Sequence, residues 1–145
     1  MTAAVVLKPR HTNLSELPEN AKLLAKIKAW DFSAEMRRFQ KEYPSEDVQK
    51  AVEDFRHFMY LCVADEAQYF IPSFEADHFW HVCLWFTHNW MAFSKEISGN
   101  FIHHNPLEEA LLPEDARIKL DEIRAASIRH FGKEVLKISD VVCCM

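Results

Sequence analysis

Asp77 and His81 stand four residues apart in the run Phe74-Glu75-Ala76-Asp77-His78-Phe79-Trp80-His81. That is one helical turn, a spacing at which two side chains can hold one metal ion or one can orient the other. On a wheel of about 100° per residue with Asp77 at zero, His81 falls near about 40° and His88 near about 20°, so the three line one stripe. Phe79, Phe86 and Phe93 gather on the opposite side, with Trp80, Leu84, Trp85 and Met91 between. A helix apolar on nearly every face is a buried one, and polar groups buried with it need partners. Zinc or iron takes at least three protein ligands, and the remote donors are His103 and His104, beyond the Ser98-Gly99-Asn100 turn. Adjacent side chains in a loop point apart, so one of these two is expected to reach inward. The candidate ligands are therefore Asp77, His81, His88, His103 and His104. His81 is central, one of His103 or His104 is second, Asp77 is ligand or orienter, and His88 is the possible third.

Competing chemistries fit less well. Neither HExxH nor paired CxxC is present. Cys83 lies about 160° around the wheel from His81, too far to share an ion on a regular helix. Cys62 and Cys83 both fall on apolar helix faces, where burial raises the thiol pKa and makes a nucleophile inert. Glu75 and Asp77 are two apart and do not face each other. His11, His57, His78 and His130 are read as surface or core histidines, and the charged runs at 46–56 and 114–124 as solvated faces.

The elements that must position these groups follow from periodicity and punctuation. Residues 1–12 carry no period and are expected to form a flexible arm. Pro18 starts a helix in which Ala21, Leu23, Leu24, Ile27 and Trp30 recur at helical spacing. Ser33 caps a second from about residue 34 to Tyr43, stopped by Pro44. Val48, Val52, Phe55, Met59 and Cys62 mark a third, to about residue 67. Pro72 disfavours helix at Ile71, Ser73 can cap the next, and the spacing predicts a single fourth helix over 74–95. Pro113-Glu114-Asp115 opens a fifth that Gly132 stops. Strand-like alternation is absent. The expected fold is all-α, a single-domain bundle of about five helices over 13–132 with a loop carrying two adjacent histidines, followed by a tail at 133–145.

Composition narrows the function classes. With 145 residues, 49% of them hydrophobic, the chain holds one domain's core. A net charge of −5 argues against nucleic acid held on a basic face. Two glycines cannot build the Gly-rich cradles of nucleotide sites. No apolar run reaches membrane length and no export signal is visible, so no membrane association is expected. Four cysteines without paired spacing suit a reducing, cytoplasmic setting, with the vicinal Cys143-Cys144 pair read as a frayed tail.

The runs IPSFEADHFWHVCLWFTHNW and GNFIHHNP carry a Pro-Ser (Pro72-Ser73), an Asp-x-x-Trp-His (Asp77, Trp80, His81) and a Phe-x-His-His-x-Pro (Phe101, His103, His104, Pro106). In these the chain resembles the glycine-rich domain-containing protein-like family, as a small stand-alone member. The resemblance extends over about residues 34–132, with DFRHFMYLC upstream, Thr87 and Trp90 within the block, and Phe131-Gly132 at its close. Cys83 stands where that family commonly has a second histidine, and Phe86 where an Asp is frequent. The resemblance implies an all-helical domain in which Asp77, Trp80, His81, His103 and His104 converge, without implying a reaction. The functional expectation is a small helical protein binding zinc or iron through a His/Asp cluster, with enzymatic activity left open. The alternative is a non-catalytic protein interaction module, self-association through the apolar tail included, in which the His/Trp/Asp cluster is a structural polar core.

Overall fold

The computed structural model describes residues 12–107, 109, 111–136 and 138. After one turn of 3-10 helix at Leu14–Glu16 come six α-helices: α1 (Pro18–Ala29), α2 (Ser33–Glu42), α3 (Val48–Ala64), α4 (Phe74–Trp85), α5 (Thr87–Ser98) and α6 (Pro113–Phe131). No strand occurs among the described residues. The all-α expectation therefore holds. Residues 1–11, including His11, and Cys143 and Cys144 lie outside the described residues.

The helix starts follow local chemistry. Asp47 accepts the backbone N–H groups of Gln49 and Lys50 and so satisfies two donors that the first turn of α3 leaves open. Ser73 does the same for Ala76 at the start of α4. Pro18 and Pro113 occupy first-turn positions, where a missing N–H loses nothing. Gly99 ends α5 with a φ of 80°, left-handed backbone that favours glycine.

One helix expected over 74–95 is two. The backbone leaves helical geometry at Phe86 (φ −99°, ψ 68°) and restarts with the Trp90 N–H on the Phe86 carbonyl, 2.9 Å away. No proline or glycine marks the break, and an apolar pattern that runs around every face cannot reveal a change of axis. Asn89 gives the physical reason. Its side chain accepts from Trp30 Nε1 at 3.0 Å and donates to the Asp31 carbonyl at 3.1 Å and to the buried Glu35 carboxylate, tying the start of α5 to the corner between α1 and α2.

α3 runs through the middle, packed by α1, α2, α4 and α6. Phe32 packs edge-on against Phe55, Phe79 and Phe93, with ring centroids 5.8, 5.7 and 5.0 Å away. Arg56 donates to the carbonyls of Ile27, Lys28 and Trp30, which closes the C-terminal end of α1 against α3. The start of the expected tail folds back: Leu136 is buried, Val135 packs on the core, and Ser127 Oγ holds both the Lys133 carbonyl (2.9 Å) and the Val135 N–H (3.0 Å).

Candidate metal centre

α4 carries Asp77 in its first turn, where the helix dipole favours an acid, and His81 one turn on. The third group arrives from residues 101–105, a segment with no regular structure. Two tryptophans set its course. Trp90 Nε1 donates to the Ile102 carbonyl at 2.9 Å, and the Trp80 ring lies against the His104 ring with centroids 4.2 Å apart. His104 Nε2 thereby comes 2.9 Å from Asp77 Oδ1, and His81 Nε2 lies 3.5 Å from the same oxygen. One ligand atom from each of the three residues falls within 4.8 Å of the other two, which no other set of His, Cys, Asp and Glu achieves among the described residues.

The environment is uneven. The His104 and Asp77 side chains are 4% and 5% exposed, whereas His81 is 41% exposed and opens the cluster to solvent. Burial lowers the His81 pKa, opposed by the Asp77 carboxylate and reinforced by His104 and His78. The neutral imidazole this favours is the form that ligates metal.

Of the five residues expected in the site, Asp77, His81 and His104 come together. His88 does not: it is exposed on α5, because the break at Phe86 takes it off the stripe that a continuous helix would have extended. His103 is exposed and packs edge-on against Phe101, centroids 4.7 Å apart, outside the cluster. Neither cysteine joins the cluster. Burial pushes the Cys62 thiol up to about 12 and Cys83 well above its usual range, Cys83 being further raised by Glu35 and opposed by Arg56.

Two further constellations were not legible from spacing. Beside the cluster, His78 Nδ1 lies 2.8 Å from Glu46 Oε1, and the Tyr43 ring stacks on His78 at 4.3 Å with the planes 3° apart. Burial raises the Tyr43 pKa, helped by Glu46, Glu42 and Asp77. Across the molecule, buried His130 on α6 links Tyr60 (Nδ1 to hydroxyl, 2.7 Å) to Asp65 (Nε2 to Oδ1, 2.6 Å), and Tyr69 donates to the other Asp65 oxygen at 2.6 Å. These partners are more than sixty residues apart in sequence, except Asp65 and Tyr69.

Residues 22–127 match the family described as UCP032817-like. The chain belongs to the UCP032817-like family. The three clustered residues all lie in the matched span, as do Trp80 and Trp90. This corrects the resemblance to the glycine-rich domain-containing protein-like family, which rested on two short motifs and departed from them at Cys83 and Phe86. The name UCP032817-like states no activity. No curated protein and no solved structure matches the chain. Among the described residues no helix is long and apolar enough to cross a membrane.

Proposed function

We propose that this UCP032817-like protein binds a divalent metal ion, zinc or iron, through Asp77, His81 and His104. The carrying observation is the separation of the donor atoms. Zinc bound at about 2.0–2.2 Å in a tetrahedron separates its ligand atoms by roughly 3.3 Å, and an octahedral ion at similar bond lengths by roughly 3.0 Å. The two separations from Asp77 Oδ1, 2.9 and 3.5 Å, bracket both values. Two imidazoles and one carboxylate is also the donor set of hydrolytic zinc sites and of ferrous oxygen-activating sites, both of which keep coordination positions open. The exposed flank of His81 is where such positions would meet solvent. A bound ion of this kind polarises water or a carbonyl oxygen, or handles oxygen when it is ferrous iron. The chain's own part is to fix the donors: α4 holds two at one-turn spacing, and Trp80 and Trp90 hold the third. The free thiols Cys62 and Cys83 suit a reducing, cytoplasmic setting.

A second reading has its own observation. The 2.9 Å contact between His104 and Asp77, both nearly fully buried, is also a sound hydrogen bond, and a polar core of an interaction module would look the same. Zinc titration followed by thermal unfolding separates the two. A metal site stabilises the fold by about 2.7 kcal/mol at a hundredfold excess of zinc over Kd, which raises the unfolding temperature, and His104→Ala abolishes the rise. An unfolding temperature indifferent to zinc and to ferrous ion selects the polar core.

A further inference from the structure

A second feature of the molecule shares Trp80 with the metal centre but none of its three donor residues. Between the C-terminal end of α3, the chain that follows it and residues 97–105 lies a cleft of about 620 Å³, within the range of small-molecule sites. Phe101, 45% exposed, is its open aromatic wall, while Phe58, Trp80 and Tyr69 lie behind its surface, 0%, 2% and 8% exposed. Its single carboxylate is Glu66, its one basic side chain is His103, and no lysine or arginine lines it among the described residues. Arg129, which reaches the Tyr69 hydroxyl at 3.3 Å, is paired with Asp65.

Glu66 sits where its backbone argues against it. Its N–H bonds the Val63 carbonyl at 3.2 Å and the Ala67 N–H bonds the Cys62 carbonyl at 3.0 Å, the pattern that closes a helix through a left-handed residue. Glycine is the usual occupant. Glu66 takes a φ of 49°, and no other non-glycine residue among those described has a positive φ. Such strain is retained where something else requires the side chain, and what a glutamate adds here is a negative charge at the mouth of an aromatic cleft.

We propose that this cleft binds a small organic cation, an amine or ammonium group carried on an aromatic or branched apolar body. The exposed Phe101 ring attracts a cation through its quadrupole and Glu66 supplies the counter-charge, while Ile97 and Ile102 receive the apolar body. Trp80 is shared between the two sites, since it lines the cleft and lies against His104. The cleft needs no metal to bind its ligand, and this inference stands apart from the metal reading.

The test is calorimetric titration of the full chain with phenethylamine, protonated at neutral pH, and with 3-phenylpropanoate, which carries the opposite charge on a similar body. The cation is expected to bind about tenfold more tightly than the anion, unchanged by EDTA. Glu66→Gln is expected to cut that preference to about threefold or less, the part the aromatic ring supplies. Glu66→Gly is expected to lose the same affinity while unfolding at the same or a higher temperature, which separates lost binding from lost fold. Equal affinity for the two probes, preference for the anion, binding of neither at millimolar concentration, or full cation affinity in Glu66→Gly would each overturn the proposal.

Discussion

Removing one oxygen from Tyr60 tests how α6 is locked onto α3. Tyr60 is fully buried on α3 and His130 is 1% exposed on α6, so neither has water to replace a lost partner. The Asp65 carboxylate can only accept, so His130 Nε2 donates to it; in the neutral imidazole Nδ1 then accepts from the Tyr60 hydroxyl. Tyr60→Phe keeps the ring and its packing on Phe131 but leaves Nδ1 buried without a partner. An orphaned buried group costs about 1–3 kcal/mol, so the expected loss is about 2 kcal/mol, or roughly 6 °C in unfolding temperature for a chain of this size. His130→Ala removes the whole bridge, opens a cavity and strands two partners, for an expected loss of about 4 kcal/mol. Urea unfolding followed by circular dichroism measures both, with the denaturant slope unchanged if only stability has moved. A Tyr60→Phe protein within about 0.5 kcal/mol of wild type, the spread of ordinary surface changes, would refute the account of this bridge as a lock.

The same bridge makes stability depend on acid. Burial alone would raise the Asp65 pKa, but the hydrogen bonds from Tyr69 and His130 and the nearby His130 and Arg129 charges outweigh it and hold the carboxyl below its usual value. A carboxyl lowered in this way stabilises the fold above its unfolded pKa of about 3.9 and stops doing so as pH falls through the folded value, so the gap between wild type and Asp65→Asn should close below about pH 4 in a pH series of unfolding midpoints. Gly99→Ala should cost about 1 kcal/mol in thermal unfolding, because open space surrounds the position and only its φ of 80° resists a side chain. Trp90→Phe removes the donor to the Ile102 carbonyl, and zinc titration should show affinity reduced about tenfold or more while the helical spectrum is kept.

The sequence carries the helices better than their joints. The cap at Ser73, prolines at 18 and 113 and the stop at Gly99 are local chemistry, and local chemistry can be read along a chain. The break at Phe86 is set by Asn89 reaching Trp30, Asp31 and Glu35 more than fifty residues away, and no window of sequence contains that information. His88 leaves the stripe with that break, because its place there depends on an unbroken axis. In the candidate site, the pairing of Asp77 with His81 follows from one-turn spacing. The choice of His104 over His103 depends on where Trp80 and Trp90 hold the loop. In the sequence His130 reads only as a surface or core histidine, because its partners, Tyr60 and Asp65, meet it through the packing of α6 on α3.

Metal content decides the central claim. Protein purified without a histidine tag would be measured by inductively coupled plasma mass spectrometry, wild type beside Asp77→Ala, His81→Ala, His104→Ala and His88→Ala. Near-stoichiometric zinc or iron in wild type and in His88→Ala, lost from the other three while they remain folded, is the result the account predicts. A wild-type protein that carries no metal and takes up none when zinc or ferrous ion is supplied would contradict it, as would metal retained in His104→Ala and lost in His88→Ala.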